Sequence, residues 1–313
     1  MSDEFERIER IKELLARVDW DIDIGIGDDA AVLRAVDEEQ ALSVDACIEG
    51  IHFERRFASY HDLGRRAVLC AASDLVAMGA TGRASLVSLS LPSDVNDPDF
   101  YSLVEGIGEA ADRSGAHVIG GNLSKSSVLS IHTTVIGSLY RPAIRRSTAR
   151  PANRIFITGV LGSAAIGLRV LQNELLEFPH RDHFVQSWLM PDVPFELARE
   201  LGAKATAAID ISDGLAQDLS HLCNDSGVGA VIEEALLPVH PALDEAAEHF
   251  GTTGLALALH GGEDYQVLFT CNEATVPFDA TCIGRIVEGS GVSMIRKNGE
   301  SEAVVCTGYR HRW

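Results

Sequence analysis

Apolar residues at Phe5, Ile8, Ile11, Leu15 and Val18 recur at three- to four-residue intervals, which predicts an amphipathic helix over residues 3 to 18. The interval then shortens to two. Ile22, Ile24 and Ile26 alternate with other residues as in a half-buried strand. Further strands are predicted at 41–48, 84–92 and 128–139, and helices at 62–79 and 98–114. Periodicity stops at "YRPAIRRSTARPANR", residues 140 to 154, a basic stretch with two prolines. A boundary is expected there, giving domains 1–145 and 146–313. The second half restarts with a strand, "RIFITG", followed by a glycine-containing turn and helix over 162–173. Strand "AAIDIS", helix "DGLAQDLSHLC" and strands "YQVLFT" and "TCIGRIV" come next. A hairpin is expected at Asn298-Gly299. Both halves mix strands with helices, so the fold class is two-domain α/β (α+β).

Composition narrows the partners. The chain has 313 residues, 46% hydrophobic, and 28 glycines, which fits an ordered α/β protein. Its formal net charge of −20 and 6% aromatics argue against nucleic-acid and anionic-membrane binding, which need a basic surface. Phosphates remain accessible partners if cations lie between them and the carboxylates. The six cysteines form no CxxC pair and read as reduced thiols. The charged start "MSDEFERIERIKELL" lacks a signal peptide's apolar run, and no stretch approaches the roughly 20 apolar residues of a membrane helix. The expectation is a soluble, cytoplasmic protein.

The candidate chemistry is a series of aspartates. "GIGDDAAV" follows the first strand with Asp28 and Asp29, whose side chains point opposite ways in an extended segment. Turn formation and ligand binding explain that pair equally well. Asp45 interrupts the apolar strand "SVDACI", either facing solvent or binding something, and His52 follows seven residues later. In the helix "LGRRAVLCAASDLVAMGA", Asp74 shares a face with Ala67, Ala71 and Met78. A carboxylate on a small apolar face is costly unless a cation or donors meet it, which favours function over a solvated helix end. Asp210 ends an apolar strand, and Ser212 or Asp213 could cap the next helix. "HGGEDY" and "VIGGNLSKSS" are glycine-rich segments, either polar turns or loops or places where a ligand approaches the backbone. GxxxxGK[ST], GxSxG and HExxH are missing, and "TGVLGSAAIG" lacks the full GxGxxG. Repeated hard oxygen ligands suit Mg²⁺, which in turn binds phosphate. Phosphoryl transfer needs alignment and charge neutralisation more than a protein nucleophile.

In this order, "GIGDDAAV", "VDACIEGIHF", "ASDLVAMGA", "IGGN", "RRS", "AIDISDGL" and "GGEDYQVLFT" resemble the thiamine-monophosphate kinase family. That family belongs to the aminoimidazole-ribonucleotide synthetase-like ATP-binding superfamily. The resemblance implies a two-domain fold whose N-terminal sheet pairs with a second subunit's in a barrel-like homodimer. It implies phosphorylation of thiamine monophosphate by ATP in a direct in-line transfer, without a catalytic side chain acting as base. It also implies several Mg²⁺ ions held by Asp29, Ser43, Asp45, Asp74, Asn122, Asp210 and Asp213. ATP would meet Gly121, Asn122, Arg146, Ser212 and Tyr101, and the substrate would meet His52, Glu263 and Tyr309. The chain departs from the family at Val44 and Ala46, where "TDT" is common, at Asn122 within "GGNL" for "GGDT", and at Ala71 for an asparagine. These departures bear on the number of metal ions and on the acceptor. The alternatives are a related ATP-dependent enzyme with another acceptor, and a non-catalytic nucleotide-binding relative.

Overall fold

The computed structural model describes residues 4–15, 21–173 and 177–306. The chain divides into two compact units, Met1–Leu75 with Ala80–Tyr140, and Val76–Gly79 with Arg141–Trp313.

The first unit begins with α1 (Glu4–Leu15), then β1 (Ile22–Ile24), β2 (Val32–Leu33) and β3 (Glu39–Ile48). Helix α2 (Tyr60–Ala77), β4 (Thr81–Leu91), α3 (Asp97–Ser114), β5 (His117–Lys125) and β6 (Ser130–Leu139) follow. Four strands form one sheet in the order β3-β6-β4-β5, antiparallel except for β4 with β5. The parallel pair is joined by α3, which starts where the Asn96 side chain accepts the Asp99 N–H at 2.9 Å. It stops at Gly115 in the left-handed region. Helices α2 and α3 touch backbone to backbone. A Cβ on Gly64 would lie 2.2 Å from the Leu103 carbonyl oxygen, and one on Gly106 would lie 2.0 Å from that of His61. Only glycine permits that approach.

Register decides which strand residues meet α2. Asp45 pairs with Thr133 and Thr133 with Val87, whereas Ala46, His132, Ser88 and Asn122 share the next rung. Successive residues alternate faces. Ser43, Asp45 and Cys47 therefore face the helix. Val44 and Ala46 lie on the open face, where Leu42 and Val44 are 66% and 67% exposed.

The second unit contains β7 (Arg154–Ile157), α4 (Ser163–Gln172), α5 (Arg181–Leu189), α6 (Ala198–Lys204), β8 (Ala207–Asp210), α7 (Leu215–Ser226) and β9 (Gly229–Glu233). It ends with α8 (Leu243–Glu248), α9 (Gly254–His260), β10 (Val267–Cys271), β11 (Thr281–Val287), β12 (Gly291–Ile295) and β13 (Ser301–Ala303). Its sheet runs β13-β12-β9-β11-β7-β10-β8 and is antiparallel except for β12 with β9. Ile155, Ile157, Ile209 and Leu268 pack with Leu215, Leu219 and Leu222 of α7 in one core. β12 and β13 pair as the hairpin expected at Asn298-Gly299, with Gly299 at φ +87°.

Three expectations change. "IGGN" is not a polar loop: it lies inside β5, where parallel pairing with β4 supplies backbone partners. The first strand stops at Ile24, and Ile26 makes only an isolated bridge to Asp28. Helices α5, α6, α8 and α9 had no predicted counterparts, being 6 to 9 residues long and held by packing. Val18 lies outside the described residues.

Candidate active site

In the first unit the chemistry gathers where β3 meets α2. Ser43 donates its hydroxyl to the Asp74 carboxylate at 2.5 Å. Asp45, two residues along the same strand face, accepts the Ala46 N–H at 2.7 Å. Asp45 keeps solvent contact, yet loss of surrounding water pushes its pKa above the ordinary carboxylate range, against the pull of the Ala46 N–H. The Asp74 charge adds to the rise, and His52 and Arg66 oppose it. The departures at Val44 and Ala46 fall on the opposite strand face, so the Ser43–Asp45–Asp74 group is intact without hydroxyls there. Ala71 is buried in α2.

His52 Nδ1 accepts the Ile48 N–H at 3.1 Å, which puts the proton of the neutral ring on Nε2. The loop carrying His52 is held by Glu49, which accepts from Arg55 Nε at 2.7 Å and from the Leu129 N–H at 2.9 Å.

The opening aspartates have separate places. Asp28 Oδ1 accepts the Asp29 N–H at 2.8 Å, so Asp28 forms the turn, and both residues are exposed. The preceding segment is fixed by a buried ion pair of Asp21 with Arg83 at 2.6 Å. Asp28, Asp29, Gly121 and Asn122 line one cleft of about 1110 Å³, walled by Phe5, Ile8 and Ile11 of α1 and by Leu86 of β4. At Gly121 a Cβ would lie 1.9 Å from the Val87 carbonyl oxygen, so glycine is required. Register puts Asn122 and Asp45 on opposite faces of the sheet. Tyr101 lies on α3, edge-on to Phe100, with the Arg10 guanidinium 5.6 Å from its ring centre.

In the second unit, Asp210 ends β8 and is 5% exposed. The turn after it is built by α7, whose Asp218 Oδ2 accepts the N–H groups of Asp213 and Gly214, each at 3.1 Å. Gln217 Nε2 donates to Asp213 Oδ2 at 2.8 Å. Burial, then the charges of Asp210 and Asp213, push the Asp218 carboxyl up to about 8. The sequence reading missed Asp218, although its helical spacing places it beside Leu215, Leu219 and Leu222 on the buried face. Arg146 is exposed, and its carbonyl accepts the Ser226 hydroxyl at 2.7 Å.

The "GGEDY" turn docks on the same loop. Glu263 N–H donates to Ser212 C=O, and Tyr265 N–H to Ile211 C=O, both at 2.8 Å. Glu263 and Tyr265 are non-glycine residues at φ +65° and +50°. Asp264 between them is buried and accepts the Gly162 N–H at 2.8 Å beside the start of α4. Burial raises its pKa to about 7. Tyr309 lies outside the described residues.

Among the described residues no three His, Cys, Asp or Glu side chains form a ready-made metal cage. The donors present are pairs of carboxylates with a hydroxyl. Such a set suits Mg²⁺, which keeps several waters and is bound by one or two carboxylates plus substrate phosphates. The Asp74 charge helps to raise the Asp45 carboxyl, a repulsion that a cation between the two would relieve.

The chain matches the AIR synthase related protein family, with the N-terminal domain over residues 27–139 and the C-terminal domain over residues 151–297. Thiamine-monophosphate kinase of Escherichia coli (strain K12) is 34% identical, covering 98% of this chain and 98% of that protein. The chain belongs to the thiamine-monophosphate kinase family. The Aquifex aeolicus (strain VF5) kinase is also 34% identical, covering 91% of this chain and 92% of its own. A solved structure of AaThiL complexed with AMPPCP and TMP superimposes with a TM-score of 0.82 at 34% identity, covering 99% of this chain and 97% of that one. The mixed α/β, two-domain architecture is thus that of thiamine-monophosphate kinases. Among the described residues no helix is long and apolar enough to cross a membrane.

Proposed function

We propose that this protein transfers the terminal phosphoryl group of ATP to thiamine monophosphate, giving thiamine diphosphate and ADP. The observation that carries the reading is the Asp74 carboxylate, held by Ser43 at 2.5 Å beside Asp45, in a family member whose relatives are named for this reaction. Asp29, Asp45, Asp74, Asp210 and Asp213 would hold Mg²⁺, with Ser43 and the carbonyl oxygen of Asn122 as neutral donors. Bound Mg²⁺ would supply charge neutralisation for the phosphate oxygens as they are drawn together.

The chain's own groups do the rest. Gly121 brings bare backbone to the cleft, and the Ser212 hydroxyl and Arg146 guanidinium are suited to phosphate oxygens, the latter by two-pronged hydrogen bonding. The acceptor phosphate is ionised at neutral pH, so its oxygen attacks without a general base. His52 and Glu263, with Tyr309, are assigned to the acceptor. With His52 Nδ1 accepting the Ile48 N–H, Nε2 is the ring nitrogen assigned to the acceptor. The Glu263 carboxylate suits an acceptor that carries a cationic ring and an amino group.

The apolar open face of the first unit's sheet, with Leu42 and Val44 in water, supports pairing with a second copy of the chain. The cytoplasm, where ATP and Mg²⁺ are available, is the proposed compartment.

The test is incubation of pure, folded protein with ATP, thiamine monophosphate and excess Mg²⁺, with products resolved by chromatography. Thiamine diphosphate should appear in equal amount to ADP. ADP with inorganic phosphate and no thiamine diphosphate would mean transfer to water and count against this acceptor, and neither product would reduce the protein to a binding relative.

A further inference from the structure

Trp188 lies on α5, remote in sequence from every motif described above, and its side chain is fully buried. Its indole Nε1–H donates to Glu263 Oε2 at 3.0 Å, across 75 residues of chain. The helix is brought to this position by a close crossing with α4, where a Cβ on Gly167 would lie 2.0 Å from the Phe184 carbonyl oxygen and 3.0 Å from Trp188 Cβ. Glu263 is meanwhile held by its own backbone, in the left-handed region, through the Ser212 carbonyl. The carboxylate is therefore gripped from two directions, by a loop at its main chain and by a rigid aromatic donor at its head.

A carboxylate that discriminates a cationic, amino-bearing acceptor must present its lone pairs at a set angle. A glutamate side chain has three rotatable bonds, so an unrestrained one would lose that angle. A hydrogen bond from a buried donor to a charged group is among the stronger neutral-to-ion contacts. A ring with two torsions supplies it at small entropic cost.

We propose that Trp188 is a positioning residue for acceptor recognition, fixing the Glu263 carboxylate for the cationic end of thiamine monophosphate. The proposal rests on the kinase reading and adds to it a residue that no motif marks. Trp188 acts through Glu263, so its loss falls on the acceptor and not on the nucleotide.

The experiment measures kcat and KM for each substrate in wild type, Trp188→Phe, Glu263→Gln and the double variant. Phenylalanine keeps an aromatic ring and removes the donor. KM for thiamine monophosphate should rise roughly tenfold in Trp188→Phe, with KM for ATP within about twofold, as expected for one charge-assisted hydrogen bond. The double variant should show less than the product of the two single effects, because both act on one carboxylate. An unchanged acceptor KM, equal rises for both substrates, or fully multiplicative effects would overturn the proposal. A wild-type protein that makes no thiamine diphosphate would instead overturn the kinase reading, and this one with it.

A second measurement covers a Trp188→Phe chain that does not fold. In protein carrying ¹⁵N-indole tryptophan there are three N–H signals, one per tryptophan. The Trp188 signal is the one that shifts in Glu263→Gln. It should move on addition of thiamine monophosphate and stay still with ADP. No shift in Glu263→Gln, or no response to saturating thiamine monophosphate, would overturn the assignment.

Discussion

The Glu263 N–H donates to the Ser212 carbonyl at 2.8 Å, joining the residue assigned to the acceptor to the residue assigned to ATP. The bond holds two motifs, "DISDGL" and "GGEDY", as one rigid corner of the second unit. The link is between main-chain atoms, so it sets where the two loops sit and is kept when the Glu263 side chain is changed.

Glu263→Gln tests the charge at that corner. Its amide oxygen still accepts from Trp188, so the fold should be kept, with stability within about 0.5 kcal/mol of wild type. The acceptor KM should nevertheless rise by about tenfold or more, read from steady-state kinetics beside a thermal melt. Glu263→Ala leaves a buried indole N–H without its partner and should also cost about 1–3 kcal/mol of stability.

Asp74→Asn should lower kcat far more than Asn122→Ala, by roughly a hundredfold against a few-fold. Asp74 brings a full charge to a site where charge neutralisation dominates catalysis, and its partner Ser43 is fixed against it at 2.5 Å. Asn122 brings only a carbonyl dipole, on the other face of the sheet. Raising the Mg²⁺ concentration should recover part of the Asp74→Asn loss. Equal, mild losses in the two variants would contradict the assigned roles.

Asp264 gives a pH dependence with a defined sign. Its carboxyl has an ordinary value of 3.8 and a folded value of about 7, raised by burial. Between those values the folded chain keeps a proton that the unfolded chain releases. Asp264 therefore lowers stability as pH rises from about 4 to about 7, and its effect levels off above that. Three units at about 1.4 kcal/mol each bound the effect at about 4 kcal/mol. Asp264→Asn keeps an acceptor for the Gly162 N–H and does not titrate. In urea unfolding without Mg²⁺, the stability of Asp264→Asn relative to wild type should grow across that window. A difference independent of pH would contradict the burial argument.

The open sheet face gives a test of assembly. Leu42 and Val44 are about two-thirds exposed on β3, and a charge placed between paired sheets would be buried without a partner. If the proposed dimer forms, wild type should sediment as a dimer and Val44→Lys as a monomer, without loss of the folded unit. A wild-type chain that sediments as a monomer would remove the dimer from the proposal.

Local order set much of this molecule from the sequence alone. The helical interval of α1, the alternation in β3, and the apolar runs of β7, β8 and β10 depend on near neighbours, and those elements are where periodicity put them. The aspartates were visible for the same reason: a carboxylate at Asp74 or Asp210 breaks a local apolar pattern and so marks itself. Tertiary structure decided the rest. Whether Asp45 or Val44 faces α2 depends on the register of β3 against β6, and a shift of one residue would exchange them. "IGGN" has no strand alternation of its own, and becomes a strand because β4 offers its backbone partners. Trp188 reaches Glu263 only because Gly167 lets two helices touch, and no window of sequence contains residues 75 positions apart. Short-range sterics choose the elements and their chemical inventory, whereas packing between distant segments chooses which of those groups meet.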